Sequence, residues 1–205
     1  MNLVSLRRVS SVALVTGAVT AVTVANRGGA LQTESLAATA RSVGDGKLWL
    51  LATSALLADR PAVPSIVGFT LVGVLSVWVL GSRAAWTAAA LGHVGSALAV
   101  YAAVDLAVAL HRAGAAEAST LPDFGTSAVI AAWIGALTAR GWQRHAGARE
   151  RTLMAAGACG CGLIGWLFRP DLTVLDTEHL VAFAVGAALV AGATRRSRLP
   201  QVATS

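Results

Sequence analysis

The sequence predicts an all-α polytopic membrane protein. Of its 205 residues 56% are hydrophobic and only 13% charged, too few charges for a soluble domain of this length to solvate its surface. Charge-poor apolar runs recur near residues 9–26, 63–81, 84–110, 125–140, 152–168 and 178–194. Each approaches the roughly 20 residues that cross about 30 Å of hydrocarbon. Six spans in one membrane domain, residues 1–205, is the expected organisation, with an external loop over residues 27–62.

The first run follows Arg7 and Arg8 and is rich in Ala, Val, Ser and Thr. It is expected to be a retained anchor; a signal peptide cleaved near Thr23-Val24-Ala25 is the alternative. Inside the external loop, Leu48 to Leu57 is apolar but too short to span, and Asp59-Arg60-Pro61 ends it, so it reads as an in-plane or re-entrant segment.

Positive charge sets the orientation. Arg7, Arg8, Arg83, Arg140, Arg144, Arg149, Arg151, Arg195, Arg196 and Arg198 fall on one side, against Arg27, Arg41, Lys47, Arg60, Arg112 and Arg169 on longer connections of the other. Basic residues flank the cytoplasmic side, so both termini are expected in the cytoplasm of a multi-pass cell-membrane protein. Glu34, Asp45, Asp59, Glu117, Asp123, Asp171, Asp176 and Glu178 are then external, Glu150 internal, and Asp105 within a span. The net charge of +6 is scattered between apolar runs with no basic stripe and interleaved aromatics, so nucleic acid is not an expected partner. The lipid bilayer is.

Small residues recur within the spans: Gly92 and Gly95, then Gly157, Gly160, Gly162 and Gly165, then Gly186 and Gly192. In lipid such residues let backbones approach closely, which predicts a compact bundle. Cys159 and Cys161 sit two apart in one run, badly placed for a disulfide. With no CxxC and no Cys/His ligand spacing, no metal site and no cofactor is expected.

Polar groups in a membrane span are costly and mark candidate sites. Ser127 lies just inside the outer end of the fourth span and His179 just inside the outer end of the sixth, within about two helical turns of the same membrane face. A serine beside a histidine is the minimal nucleophile and base pair, the imidazole taking the hydroxyl proton and returning it to the leaving group. No third acidic member stands at helical spacing from His179 on its buried side; Asp176 and Glu178 are expected at the loop end. Taken singly, Ser127 reads as a packing serine and His179 as an interfacial residue. His93, near the middle of the third span, reads as hydrogen-bonded to a carbonyl or hydroxyl. Asp105 lies about three turns beyond it.

These residues resemble the rhomboid intramembrane serine proteases, and more closely the divergent rhomboid-like membrane proteins of actinobacteria. Gly125-Thr126-Ser127-Ala128 is similar to the family's GxSG, and His179 with Gly186 in Asp176 to Gly186 is similar to its sixth-span motif. Leu48 to Ser54 resembles the WRLLTS-like segment of the first external loop, and Gly81-Ser82-Arg83 with Gly92-His93-Val94-Gly95 the third span and its glycines. The likeness runs in order from about residue 47 to 192. It implies a six-helix rhomboid-like bundle with Ser127 as nucleophile and His179 as general base.

Three departures weaken the peptidase reading. Val63 to Val74 lacks the HxxxN whose side chains help hold the oxyanion, the loop tryptophan-arginine pair is reduced to Trp49-Leu50, and the last glycine of GxSG is Ala128. Loss of one oxyanion donor costs on the order of a hundredfold in rate. The function expected is therefore a catalytically weak or inactive rhomboid-like protein, a pseudoprotease that binds transmembrane segments of other proteins. The alternatives are an active intramembrane serine endopeptidase with a Ser127/His179 dyad, and a small transporter or channel using His93 and Asp105. The last is disfavoured because no inverted repeat of interrupted helices is evident.

Overall fold

The computed structural model describes residues 3–144, 147 and 173–196. It is all-helical: the β-pairing among the described residues is a single isolated bridge between Ala38 and Asp123. The elements are α1 (Leu3–Arg27), a 3-10 turn (Thr33–Ser35), α2 (Ala40–Gly44), α3 (Leu50–Ser54), α4 (Ala62–Leu80), α5 (Ser82–Ala109), α6 (Ala115–Ala118), α7 (Thr126–Arg144) and α8 (Thr173–Arg196). Four of the long helices, α1, α4, α5 and α8, carry stretches apolar and long enough to cross a membrane. The chain is an all-α membrane protein. Helix α7 matches α4 in length but carries Arg140, Gln143 and Arg144 in its last two turns. The run at 152–168 lies outside the described residues.

Outward-facing Leu14, Leu71, Trp78 and Leu180 are each about two-thirds or more exposed (76, 66, 74 and 68%). Such residues suit contact with lipid, where the helices satisfy their own backbone hydrogen bonds.

Gly81 turns the chain between α4 and α5. Its φ of 84° lies in the left-handed region that glycine enters without a Cβ penalty, and α5 starts at the next residue. Beyond this corner the two helices enclose a core in which Phe69, Val77, Ala85, Ala89, Val129 and Trp133 are buried together with Val12 and Val19 of α1. The indole of Trp133 packs tilted at 51° against Phe69, centroids 5.0 Å apart, and edge-on at 5.4 Å to Trp86, and its Nε1–H donates to the Ala85 carbonyl at 2.8 Å. This bond joins α7 to α5 where aromatic burial is greatest.

Small residues bring α5, α7 and α8 together. A Cβ on Gly92 would collide with Ala132, one on Gly135 with the Phe183 carbonyl, and one on Gly186 with the Ala132 carbonyl. Gly135 meets Phe183, and further along Gln143 donates to the Val190 carbonyl at 3.3 Å. The contacts advance in the same direction along both chains, so α7 and α8 run parallel. Helix α5 runs the other way, with Gly92 near Ala182 and Ser96 near Glu178.

At 28 residues α5 is about 42 Å long. Its second half rises past the start of α7 and is covered by the loop between α1 and α4. Ala38, Ala40, Val43, Leu50 and Leu51 pack there against Ala97, Val100, Tyr101 and Val104. Backbone bonds pin this cap: Arg41 N to Ser119 O at 2.9 Å, Asp123 N to Ala38 O at 2.8 Å and Gly125 N to Ser54 O at 3.0 Å. The cap buries side chains that would otherwise lie at an open helix end.

Candidate functional site

Beneath the cap, polar side chains from four parts of the chain meet in the interior. His93 of α5 is 2% exposed, Asp123 just before α7 is 4%, and Glu178 in the second turn of α8 is 2%. One ring nitrogen of His93 and one carboxylate oxygen from each acid lie within 4.8 Å of one another.

His93 is fixed on two sides. Its Nε2 lies 2.8 Å from the Leu51 carbonyl and 3.2 Å from Ser54 Oγ, both from α3. A carbonyl oxygen only accepts, so the proton is on Nε2 and the bond runs from Nε2–H to Leu51 O. Nδ1, also buried, has no hydrogen-bond partner. The flat face of the ring rests on Gly125, where a Cβ would collide with all three ring atoms nearest it. The cap therefore orients the imidazole and leaves one nitrogen uncommitted.

Each acid is held by a hydroxyl of α5 on the turns after His93. Tyr101 Oη–H donates to Asp123 Oδ2 at 3.0 Å, and Ser96 Oγ–H is shared between the His93 carbonyl at 3.0 Å and Glu178 Oε1 at 3.4 Å. The two acids also lie close to each other, each raising the cost of charge on the other. Burial pushes the Asp123 carboxyl above its ordinary value, while the neighbouring His93 and the Tyr101 hydroxyl act against that rise. Two acids and an imidazole removed from water in this way must share protons or a cation, because unpaired buried charge is expensive.

Ser127 and His179 lie at the same end of the bundle, near the starts of the parallel helices α7 and α8. Both are half-buried. No hydrogen bond joins them: Ser127 Oγ–H donates to the Phe124 carbonyl at 3.2 Å, closing a local turn at the start of its own helix. The charged neighbours of His179 are Asp59 and Asp176. Asp105 is exposed near the C-terminal end of α5 and does not join His93.

Glu178 departs from the sequence expectation of an acid at the loop end. Helix α8 starts at Thr173, so residue 178 is already in its second turn and faces Ser96 of α5. Asp123, expected in an external loop, lies in the connection before α7, and the cap folds over it. No local signal in the sequence marks either acid as buried, because the burial comes from the cap packed on α5 and from the position of α8 against it. Comparison with protein-family models, with characterised proteins and with solved structures gives no match.

Proposed function

We propose that this chain is a rhomboid-like membrane protein that holds transmembrane segments of other proteins without cutting them, its six spans leaving both termini in the cytoplasm. The observation that carries the reading is the engagement of Ser127: its hydroxyl is given to the Phe124 carbonyl rather than to His179. A hydroxyl without a base beside it is a weak nucleophile. The absence of His and Asn from Val63 to Val74 and the order of motifs from residue 47 to 192 support the same reading. The function then rests on the packing of helices and not on acyl transfer.

The test is labelling of the full chain in detergent and in liposomes with a serine-directed fluorophosphonate. The expected result is no labelling above that of Ser127→Ala. Labelling that both Ser127→Ala and His179→Ala abolish would overturn it. That outcome would establish the second reading, an intramembrane serine peptidase, which is favoured by one observation: Ser127 and His179 share one end of two helices packed backbone to backbone through Gly135 and Gly186. Rotation of the Ser127 side chain away from Phe124 would then have to accompany substrate binding.

A further inference from the structure

The geometry points to a divalent metal site under the cap, with His93, Asp123 and Glu178 as its three protein ligands and zinc the cation that suits the donor set.

Distance comes first. Three atoms no more than 4.8 Å apart all lie within about 2.8 Å of one common point, by the geometry of a triangle. Zinc is bound by imidazole nitrogen and carboxylate oxygen at roughly 2.0–2.2 Å. Each ligand need move by less than about 1 Å to close on an ion, a shift that carboxylate rotamers supply without moving a helix.

The second observation is the imidazole. Nε2–H is spent on the Leu51 carbonyl at 2.8 Å, which is how metal-binding histidines are oriented: one nitrogen donates to a backbone carbonyl and the other carries the lone pair. The remaining nitrogen, Nδ1, is buried and has no hydrogen-bond partner. A buried acceptor without a partner is costly, and a cation bound by this nitrogen satisfies it.

The surroundings agree. Tyr101 and Ser96 donate to Asp123 and Glu178 at 3.0 and 3.4 Å, the outer hydrogen bonds that hold ligating carboxylates in place. Two carboxylates facing a dication are neutralised by it, which removes the cost of burying them together. One nitrogen and two oxygens favour a borderline cation such as zinc over magnesium or calcium, which take oxygen ligands and higher coordination numbers. The three ligands come from α5, from the segment before α7 and from α8, so an ion there ties together the helices that the glycines bring into contact. A fourth position remains for water or a further ligand.

The experiment uses the full chain, freed of any histidine tag, purified in detergent, stripped with chelator, dialysed against zinc chloride and then against metal-free buffer. Metal is counted by mass spectrometry of the elements, and the coordination is read from the visible absorption of the cobalt(II)-loaded protein. The wild type and a His111→Ala control are expected to keep one zinc per chain and to show the intense bands of a four-coordinate cobalt site. Glu178→Gln and Asp123→Asn, which preserve side-chain shape, are expected to lose the bands and to bind zinc more weakly by well over the roughly 10- to 100-fold that follows loss of an outer partner. A rise in melting temperature on zinc addition is expected in the wild type and not in Glu178→Gln, a readout independent of stoichiometry. Wild-type protein that keeps no zinc above the buffer blank overturns the site whatever the variants do. So does a cobalt spectrum that Glu178→Gln leaves unchanged.

Discussion

Gly125 and the imidazole of His93 touch so closely that a side chain on residue 125 would overlap the ring. The ring cannot yield easily, because its Nε2, one of the atoms nearest Gly125, is held by the Leu51 carbonyl and Ser54. Gly125→Ala is therefore expected to destabilise the protein by about 1–3 kcal/mol, the usual cost of overpacking a closed interior. Thermal unfolding in detergent checks it, with Gly95→Ala, where nothing lies within 4 Å of an added carbon, as the control. An unchanged melting temperature would mean that the ring is free to move.

Trp133 is fully buried among Phe69 and Trp86, and its indole N–H reaches the Ala85 carbonyl at 2.8 Å. Trp133→Phe keeps an aromatic ring but loses this bond and part of the packing volume. A loss of about 1–3 kcal/mol is expected from the hydrogen bond and the cavity together. The measurement is the midpoint of denaturation, read by circular dichroism so that the loss of one fluorophore does not interfere.

Gly186 meets the carbonyl of Ala132, and Gly135 meets that of Phe183. These are backbone contacts, which cannot move aside as the tip of a side chain can. Gly186→Ala is expected to separate α7 from α8 and to lower stability by at least about 1 kcal/mol. Gly192→Ala, where nothing lies within 4 Å of the added carbon, should be neutral. A Gly192→Ala loss equal to that of Gly186→Ala would show that the contact with the α7 backbone does not govern the result, since alanine favours a helix over glycine at both positions.

The helical membrane class was legible because apolar runs without charges have one solution in lipid, and composition alone reveals them. The pairing of Ser127 with His179 at one end of the bundle was legible in part: the order of spans puts both near the same end, but it carries no information on whether the hydroxyl turns toward Phe124. The buried centre was not legible. Charge counting assigns Asp123 and Glu178 to the outer side by their place at the ends of apolar runs. Burial there depends on the cap formed by Ala38, Val43, Leu50 and Leu51 over the upper half of α5, and that is long-range packing which no local pattern encodes. His93 was different. A histidine deep in a span must satisfy its ring, and the expected carbonyl and hydroxyl are Leu51 and Ser54.

Ser127 also bears a stability prediction separate from any chemistry. Its hydroxyl is bonded at 3.2 Å to a carbonyl three residues back, a local contact that water or a neighbouring backbone group can replace. Ser127→Ala is expected to change stability by less than about 1 kcal/mol. A larger loss would indicate that the hydroxyl has a partner across the helix pair, and the denaturation midpoint of the variant in the same detergent decides it.

Arg83 and Arg112 offer the most direct check of membrane orientation. Both are exposed, and they stand just inside one end and just beyond the other end of α5, which runs from Ser82 to Ala109. That helix is about 42 Å long and among those apolar enough to cross a bilayer. If it spans, a polar reagent added to intact cells reaches one end and not the other, and the excess of arginine on the Arg83 side predicts which. In a background with Cys159 and Cys161 replaced by serine, Arg112→Cys is expected to react with an impermeant maleimide in whole cells. Arg83→Cys should react only after the membrane is opened. The reverse pattern would invert the topology and move the His93, Asp123 and Glu178 centre to the cytoplasmic face; labelling of both in intact cells would mean that α5 does not cross the membrane.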